Sequence, residues 1–298
     1  MDSPVVISRT AVPSTVFLRS EVPARHPSAA ILGEERLGAG VAVAPDRVLT
    51  AHYLVLGAAR VEVVGPDGKA RAVRRSAVDH ETGLALLCLE GAALHPVAFR
   101  SAAAVAPGLP VFIMTCTGRQ ERKGATGHVT AVGPFEAFWE YMLDRAIMTT
   151  VINPGLAGAA LLDADARLIG VVSLGLAAPG RYSLAIPVEL FLSHREEMER
   201  EDGAREGPRR AWVGFYPQGF DGGVVVTGVV PGGPADRAGL ARGDLVLSVD
   251  GSPVSSLREL YAAMWRKSAG EALSLQVLRE STIRVVEVET ADRAEFYR

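Results

Sequence analysis

The segment Asn153-Pro154-Gly155-Leu156-Ala157-Gly158-Ala159-Ala160 decides how the larger part of this chain is interpreted. Its glycine-flanked loop can point backbone N–H groups at a negatively charged oxygen, because such sites use backbone donors. No side chain from Gly155 to Gly158 carries a hydroxyl group, and the methyl group of Ala157 cannot attack a carbonyl carbon. The segment therefore offers backbone donors without a side-chain nucleophile.

Short apolar or alternating runs surround this segment, and clusters such as Gly65-Pro66-Asp67-Gly68 separate them. Many short strands with turn signals at near-regular spacing are typical of barrels or sandwiches and argue against parallel βαβ units. On their own, the runs do not distinguish two barrels from one sandwich. The runs are Val16 to Arg19, Gly40 to Ala44, Val61 to Val64, Leu84 to Leu89, Val111 to Thr115, Gly127 to Val132, Leu168 to Leu174 and Tyr182 to Ile186.

Three segments resemble the HtrA (Deg) family of trypsin-fold serine proteases. The segment from Asn153 is similar to the family's Asn-Pro-Gly-Asn-Ser-Gly-Gly-Ala, in which the serine is the nucleophile. The segment Leu49 to His52 resembles the one that ends in the catalytic histidine, and Leu184-Ala185-Ile186-Pro187 resembles the end of the second barrel. The resemblance implies a mainly β fold, with a trypsin-like double β-barrel over residues 1–194.

The same resemblance puts His52 at the position of the catalytic base, Gly83 at that of the aspartate and Ala157 at that of the serine. Gly155 and Leu156 then lie in the former oxyanion loop. In such a triad the histidine removes the serine proton and the carboxylate orients the histidine. We therefore expect no intact catalytic residue: His52 is a remnant base that nothing orients, and neither Asp79 nor Glu81 replaces the missing carboxylate, because both lie further along the strand.

The magnitude of this loss argues against an enzyme. In another serine protease, removal of the nucleophile alone costs about 10⁶-fold in turnover. The four departures from the family pattern lie around one reaction centre, which favours natural decay over an engineered change. They are Gly83, Leu156, Ala157 and Ala159.

A charged linker is expected at residues 195–210, with a helix continuing into its first half and an α+β PDZ domain at 211–298. The segments Gly223 to Ala235 and Arg242 to Gly251 resemble that domain closely. A PDZ domain adds a peptide as a strand to its sheet edge and holds the terminal carboxylate with backbone amides. The resemblance implies a carboxylate-binding loop at Trp212, Val213, Gly214 and Phe215.

The opposite wall of the peptide groove is expected on a helix that begins after Ser256. Its apolar residues recur at helical spacing, and most of them must face the domain core. Among these residues, Leu257 and Tyr261 are the ones we expect to contact a peptide. An apolar loop and helix predict a preference for partners with an apolar C-terminal residue.

Composition excludes several other classes of function. The net charge of -3 comes without a basic stripe, so nucleic acid is not an expected partner. No apolar run reaches the ~20 residues of a membrane helix. The scattered histidines have no metal-ligand spacing, and no cofactor motif is present. Cys88 and Cys116 lie in apolar runs and are predicted to be buried thiols.

The sequence leaves the cellular compartment and the oligomeric state open. The start Met1-Asp2-Ser3-Pro4 shows no basic region followed by an apolar stretch, as a secretory signal would. We expect a cytoplasmic protein if Met1 is the native start, and a periplasmic one if a signal was trimmed. A homotrimer and a hetero-assembly with an active paralogue are both compatible with the sequence.

Three functions follow from these patterns. The first is a pseudoprotease that binds polypeptide C-termini or unfolded segments as an adaptor or chaperone. The second is a serine endopeptidase whose nucleophilic serine was replaced by Ala157 through an engineered change. The third is a structural or assembly protein with a vestigial groove. The sequence pattern favours the first.

Overall fold

The computed structural model describes residues 4–91, 93–100, 104–178, 180–200 and 209–298. The chain divides by its internal contacts into two compact units. The first unit comprises Met1–Pro134 and Leu143–Arg205, and the second comprises Phe135–Met142 and Glu206–Arg298. Strands dominate both units, so the predicted mainly β class is confirmed.

The first unit begins with helix α1 (Pro4–Ala11) and a closed six-stranded barrel whose order is β1-β2-β3-β6-β5-β4. Helix α2 (Ala29–Leu32) lies between the first two strands. Valine and leucine side chains fill the barrel, because alternate residues of each strand point inward. The strands are β1 (Thr15–Glu21), β2 (Glu35–Ala44), β3 (Arg47–Ala51), β4 (Arg60–Val64), β5 (Ala70–Asp79) and β6 (Leu84–Leu89).

A second closed six-stranded barrel follows, with the order β10-β11-β12-β9-β8-β7. Its core includes Val111, Ile113, Ile147, Leu161 and Ile169. The last residues of β8 and the first residues of β9 form a hairpin tip, Phe135–Met142, which belongs to the second unit. The strands are β7 (Pro110–Cys116), β8 (Arg122–Ala137), β9 (Tyr141–Thr149), β10 (Ala159–Leu162), β11 (Leu168–Ala178) and β12 (Arg181–Pro187).

Helix α3 (Val188–Glu199) continues directly from β12, as the sequence predicted for the first half of the linker. Residues 201–208, in the second half of that predicted linker, lie outside the described residues. Cys88 and Cys116 are free and buried, which confirms their interpretation as buried thiols. Burial raises the pKa of the Cys116 thiol to about 11.

The second unit is built on a sheet of order β13-β14-β15-β17-β18, with β16 paired to β15. Helix α5 packs its buried residues Leu260, Tyr261 and Met264 into the core of this unit. The elements are β13 (Phe215–Phe220), β14 (Gly223–Val229), α4 (Pro234–Arg237), β15 (Leu245–Val249), β16 (Ser252–Pro253), α5 (Leu257–Met264), β17 (Ala272–Arg279), β18 (Thr282–Glu289) and α6 (Arg293–Phe296).

A buried carboxylate organises the β10–β11 turn of the second barrel. The side chain of Asp163 is 0% exposed; its Oδ1 accepts hydrogen bonds from the N–H groups of Asp165 and Arg167 at 2.9 and 2.8 Å. Its Oδ2 lies 2.8 Å from a guanidinium nitrogen of Arg100. The charge is therefore both paired and hydrogen-bonded, as burial of a carboxylate requires.

We predict that Asp163→Ala lowers the free energy of unfolding by about 3 kcal/mol, because it leaves a guanidinium and two amides without their acceptor. The matched control is Asp165→Ala on the same turn. That side chain is 55% exposed in an ion pair of 3.5 Å with Arg167, so its loss should stay within about 0.5 kcal/mol. Urea denaturation measures both, and equal losses would contradict the role assigned to Asp163.

Candidate functional site

His52 begins a short 3₁₀ turn directly after β3 and is 6% exposed. Its backbone N–H donates to the Gly83 carbonyl at 2.9 Å, and its ring Nδ1 lies 3.1 Å from the same oxygen. Since a carbonyl only accepts, Nδ1 carries the hydrogen and Nε2 is the basic nitrogen. The expectation that nothing orients His52 is wrong: the carbonyl of Gly83 does so.

Asp79, the acidic residue at the end of β5, contacts a different histidine. One carboxylate oxygen of Asp79 lies 2.8 Å from Nδ1 of His194, and the other accepts the N–H groups of Glu81 and Thr82. Burial alone would raise the pKa of Asp79, but hydrogen bonds from His194 and Thr82 outweigh it and hold the pKa well below its usual value. Asp79 thus anchors α3 to the end of β5.

The loop with Ala157 lies against the first barrel. The Ala157 carbonyl accepts the Ala39 N–H at 2.7 Å, and the hydroxyl of Thr50 donates to the Ala39 carbonyl at 2.7 Å. A Cβ atom on Gly158 would stand 2.0 Å from the Ala39 oxygen, so only glycine permits this approach. The structure therefore brings the Ala157 loop onto β2 and β3, and His52 follows directly after β3.

The amides of the predicted oxyanion loop are bound within the chain. The Gly155 N–H donates to the side-chain oxygen of Asn153 at 3.3 Å, and the Leu156 N–H donates to the Cys116 carbonyl at 2.9 Å. The Leu156 carbonyl accepts from Thr115 Oγ1 at 2.7 Å. A substrate oxygen could use the amides of Gly155 and Leu156 only after the loop had released these contacts.

The predicted carboxylate-binding loop does hold a carboxylate, and it comes from the same unit. The N–H groups of Gly214 and Phe215 donate to Oε1 of Glu140 at 2.6 and 3.0 Å, and the Val213 N–H donates to Oε2 at 3.0 Å. Gly214 has φ +79°, which turns its amide toward the loop centre at little cost for glycine.

Trp212 takes no part in this arrangement, contrary to its predicted place in the loop. Its N–H donates to the Ala291 carbonyl at 3.1 Å, because Trp212 is still paired with Ala291 in an antiparallel bridge. Its indole packs against Phe296 and Tyr297 instead. Three amides, not four, converge on the carboxylate.

The two predicted groove residues of α5 differ in environment. Tyr261 is fully buried, and its hydroxyl donates to the Ala137 carbonyl at 2.5 Å and accepts the Glu140 N–H at 3.1 Å. Leu257 is half-buried and faces β13, where a Cβ atom on Gly219 would lie 3.4 Å from its Cγ. The hairpin tip therefore engages Tyr261 and leaves Leu257 beside β13.

Sequence reasoning missed Glu140, which is 5% exposed. Burial raises the pKa of its carboxyl to about 7, although the three amides and Arg293 act in the opposite direction. One local signal existed: Glu140 is the last residue of the tight loop Phe138-Trp139-Glu140, where a glycine is common. The contact with the amides joins residues some seventy positions apart and has no local pattern.

The described residues contain no group of three or more His, Cys, Asp and Glu side chains that could hold a metal ion. Across the same part of the chain, every helix is too short or too polar to cross a membrane.

Family models match both units of the chain. Residues 38–171 match the trypsin-like peptidase domain, and residues 199–290 match the PDZ domain. The chain thus combines a region similar to trypsin-like peptidase domains with a region similar to PDZ domains.

Curated relatives with similar sequences are named serine endoproteases. A probable periplasmic serine endoprotease DegP-like of Halomonas elongata is 29% identical over 87% of this chain and 57% of its own length. A protein of the same description from Marinomonas sp. is 28% identical over 85% of this chain and 56% of its own length. The chain thus spans a little over half the length of these relatives.

Solved structures share the fold of this chain. The HtrA-type protease AlgW with decapeptide is 24% identical, with a TM-score of 0.59 over 98% of this chain and 99% of its own. The serine endoprotease from Yersinia pestis is 23% identical, with a TM-score of 0.59 and 98% of each chain covered.

These comparisons correct one expectation from the sequence. The pattern at Gly83 and Ala157 argued against an enzyme, but the curated relatives are named serine endoproteases and point to a protease.

We predict that Gly158→Ala lowers the free energy of unfolding by about 3 kcal/mol, because its methyl group would overlap the Ala39 carbonyl at a positive φ of +83°. The control is Gly175→Ala in β11, where a Cβ atom meets nothing within 4 Å. Thermal denaturation of the two variants measures the difference. If Gly158→Ala is as stable as its control, the close approach of this loop to β2 is not required.

Proposed function

We propose that this chain is an HtrA-type, polypeptide-directed serine endopeptidase, with position 157 as the site of the nucleophile and His52 as the general base. The proposal rests on the oriented imidazole: Nδ1 donates to the Gly83 carbonyl, which leaves Nε2 in the tautomer that accepts a proton. The names of the curated relatives support this reaction and a periplasmic location.

The residue now at position 157 is alanine, so hydrolysis by this scaffold depends on a hydroxyl group being present there. We interpret Ala157 as the replacement of that serine. The surrounding loop supports this view, because Gly158 still permits the close approach to β2 and the Ala157 carbonyl is fixed by Ala39. A carbonyl at Gly83 orients the histidine but, unlike a carboxylate, carries no charge to stabilise the imidazolium.

We predict that the unaltered chain cleaves casein no faster than the background rate and that Ala157→Ser produces measurable cleavage. Data from another serine protease suggest a gain of about 10²-fold for the serine without the aspartate. Gly83→Asp is added as a second variant, at a position whose φ is +78°. Fluorescent casein at neutral pH measures the rates. A fluorophosphonate should label the Ala157→Ser variant at that position.

Ala157→Ser combined with His52→Ala is the control, because it keeps the hydroxyl and removes the base. It should fall back to the background rate. A well-folded Ala157→Ser variant that neither cleaves casein nor reacts with the fluorophosphonate, even with Gly83→Asp, would contradict the endopeptidase proposal. Cleavage by the unaltered chain would instead show that position 157 does not supply the nucleophile.

The PDZ domain would recognise polypeptide C-termini for this activity. The observation that supports this role is the set of three N–H groups at Val213, Gly214 and Phe215, which already bind a carboxylate. Hydrogen bonds between backbone amides and a charged oxygen are stronger than neutral ones, so they favour a free terminal carboxylate. Leu257 beside β13 would contact an apolar side chain of the peptide. Homotrimer formation and hetero-assembly stay predictions from the sequence.

A peptide with an apolar last residue and a free carboxylate should bind at least about tenfold more tightly than its amidated form, because a hydrogen bond to a charged group contributes roughly 1.5–3 kcal/mol. Fluorescence anisotropy on the full chain, up to millimolar protein, measures this ratio. A peptide that ends in lysine controls for the apolar pocket. Indifference to amidation would contradict recognition of C-termini.

A further inference from the structure

The carboxylate-binding loop of the PDZ domain is already occupied in this structure. Glu140 accepts hydrogen bonds from all three converging amides, with N···O distances of 2.6 to 3.0 Å. Both of its carboxylate oxygens are used, as the terminal carboxylate of a bound peptide would use them. A second carboxylate would find no amide donor there and would be repelled by the first.

The backbone conformation at Glu140 is unfavourable for a residue with a side chain, which indicates that the carboxylate has a role of its own. The strands β8 and β9 are joined by the three residues Phe138, Trp139 and Glu140, and Glu140 has φ +53°. Loops of this length commonly place glycine at such a left-handed position. A Cβ atom makes that conformation unfavourable, and capture of the carboxylate offsets this strain.

Further contacts hold the same hairpin tip against the PDZ domain within the second unit. Tyr261 bonds to the backbone at Ala137 and at Glu140 through its hydroxyl, and a nitrogen of Arg293 lies 3.3 Å from the Glu140 carbonyl. Glu136 forms an ion pair of 2.7 Å with Arg258 on α5. The side chain and the backbone of the tip are therefore both recognised.

We propose that the hairpin tip, Phe135–Met142, is an internal ligand of the PDZ domain, in which Glu140 takes the place of a peptide's terminal carboxylate. This inference rests on the proposed recognition of C-termini by the same loop. A free C-terminal peptide binds only when Glu140 leaves the three amides. The apparent affinity for such peptides is then reduced by the fraction of molecules in which the loop is open.

Three variants test this competition in the full chain. Glu140→Ala removes the carboxylate and keeps the backbone strain, whereas Glu140→Gly removes both and suits the left-handed turn, so misfolding cannot explain its behaviour. Asp221→Asn is the control. It removes one acidic charge from the exposed turn between β13 and β14, which lies in the same unit but outside the hairpin tip.

The first measurement needs no peptide. Hydrogen exchange at the amides of Val213, Gly214 and Phe215 should be at least about tenfold faster in both Glu140 variants than in the unaltered chain, because their acceptor is gone. It should be nearly unchanged in Asp221→Asn. Equal exchange in the unaltered chain and both Glu140 variants would overturn occupancy of the loop by Glu140.

The second measurement is a titration with a free-carboxylate peptide that has an apolar last residue, beside its amidated form. Both Glu140 variants should bind the free peptide at least about tenfold more tightly than the unaltered chain, which corresponds to an open fraction of one tenth or less. Equal affinity across all variants, with the free peptide still preferred, would overturn the inference and leave recognition of C-termini intact. Faster exchange without preference for the free peptide in any variant would overturn C-terminal recognition and leave the internal contact intact.

Discussion

The position of the Ala157 loop on the first barrel depends on one backbone contact, in which the Ala39 N–H donates to the Ala157 carbonyl. The contact exists because Gly158 has no side chain: a Cβ atom would overlap the Ala39 oxygen, which itself accepts the hydroxyl of Thr50. The N–H and carbonyl groups of Ala39 and the carbonyl of Ala157 thus all have hydrogen-bond partners, as buried backbone groups require. Since β3 ends one residue before His52, the same contact fixes the loop of Ala157 relative to the strand that leads to the histidine.

Local chemistry carried much of the sequence analysis. The two sets of alternating strands, the buried Cys88 and Cys116 and the helix after Pro187 follow from apolar periodicity and turn residues, which act over a few positions. The carboxylate-binding loop also followed from its resemblance to PDZ domains, except at Trp212. There the amide pairs with Ala291, a residue almost eighty positions away, and no short pattern reveals such a partner.

The histidine shows why side-chain identities alone misled the prediction. Gly83 was judged by the carboxylate it lacks, yet its backbone carbonyl accepts from both the N–H and the ring of His52. Main-chain acceptors are present at every residue and leave no mark in a sequence, so only the fold reveals that one of them faces the ring. Glu140 is the complementary case: a conspicuous side chain at a tight turn, with a partner surface that the fold alone supplies.

A ligand carried by its own receptor differs from a soluble one in how it responds to dilution. Glu140 and the three amides share one polypeptide, so their local concentration stays the same however few molecules a compartment holds. The PDZ groove would then respond to the concentration of exposed protein ends, with its midpoint raised by the internal ligand, and not to the abundance of the receptor. Sparse chain termini would leave the hairpin seated, whereas an accumulation of them would displace it.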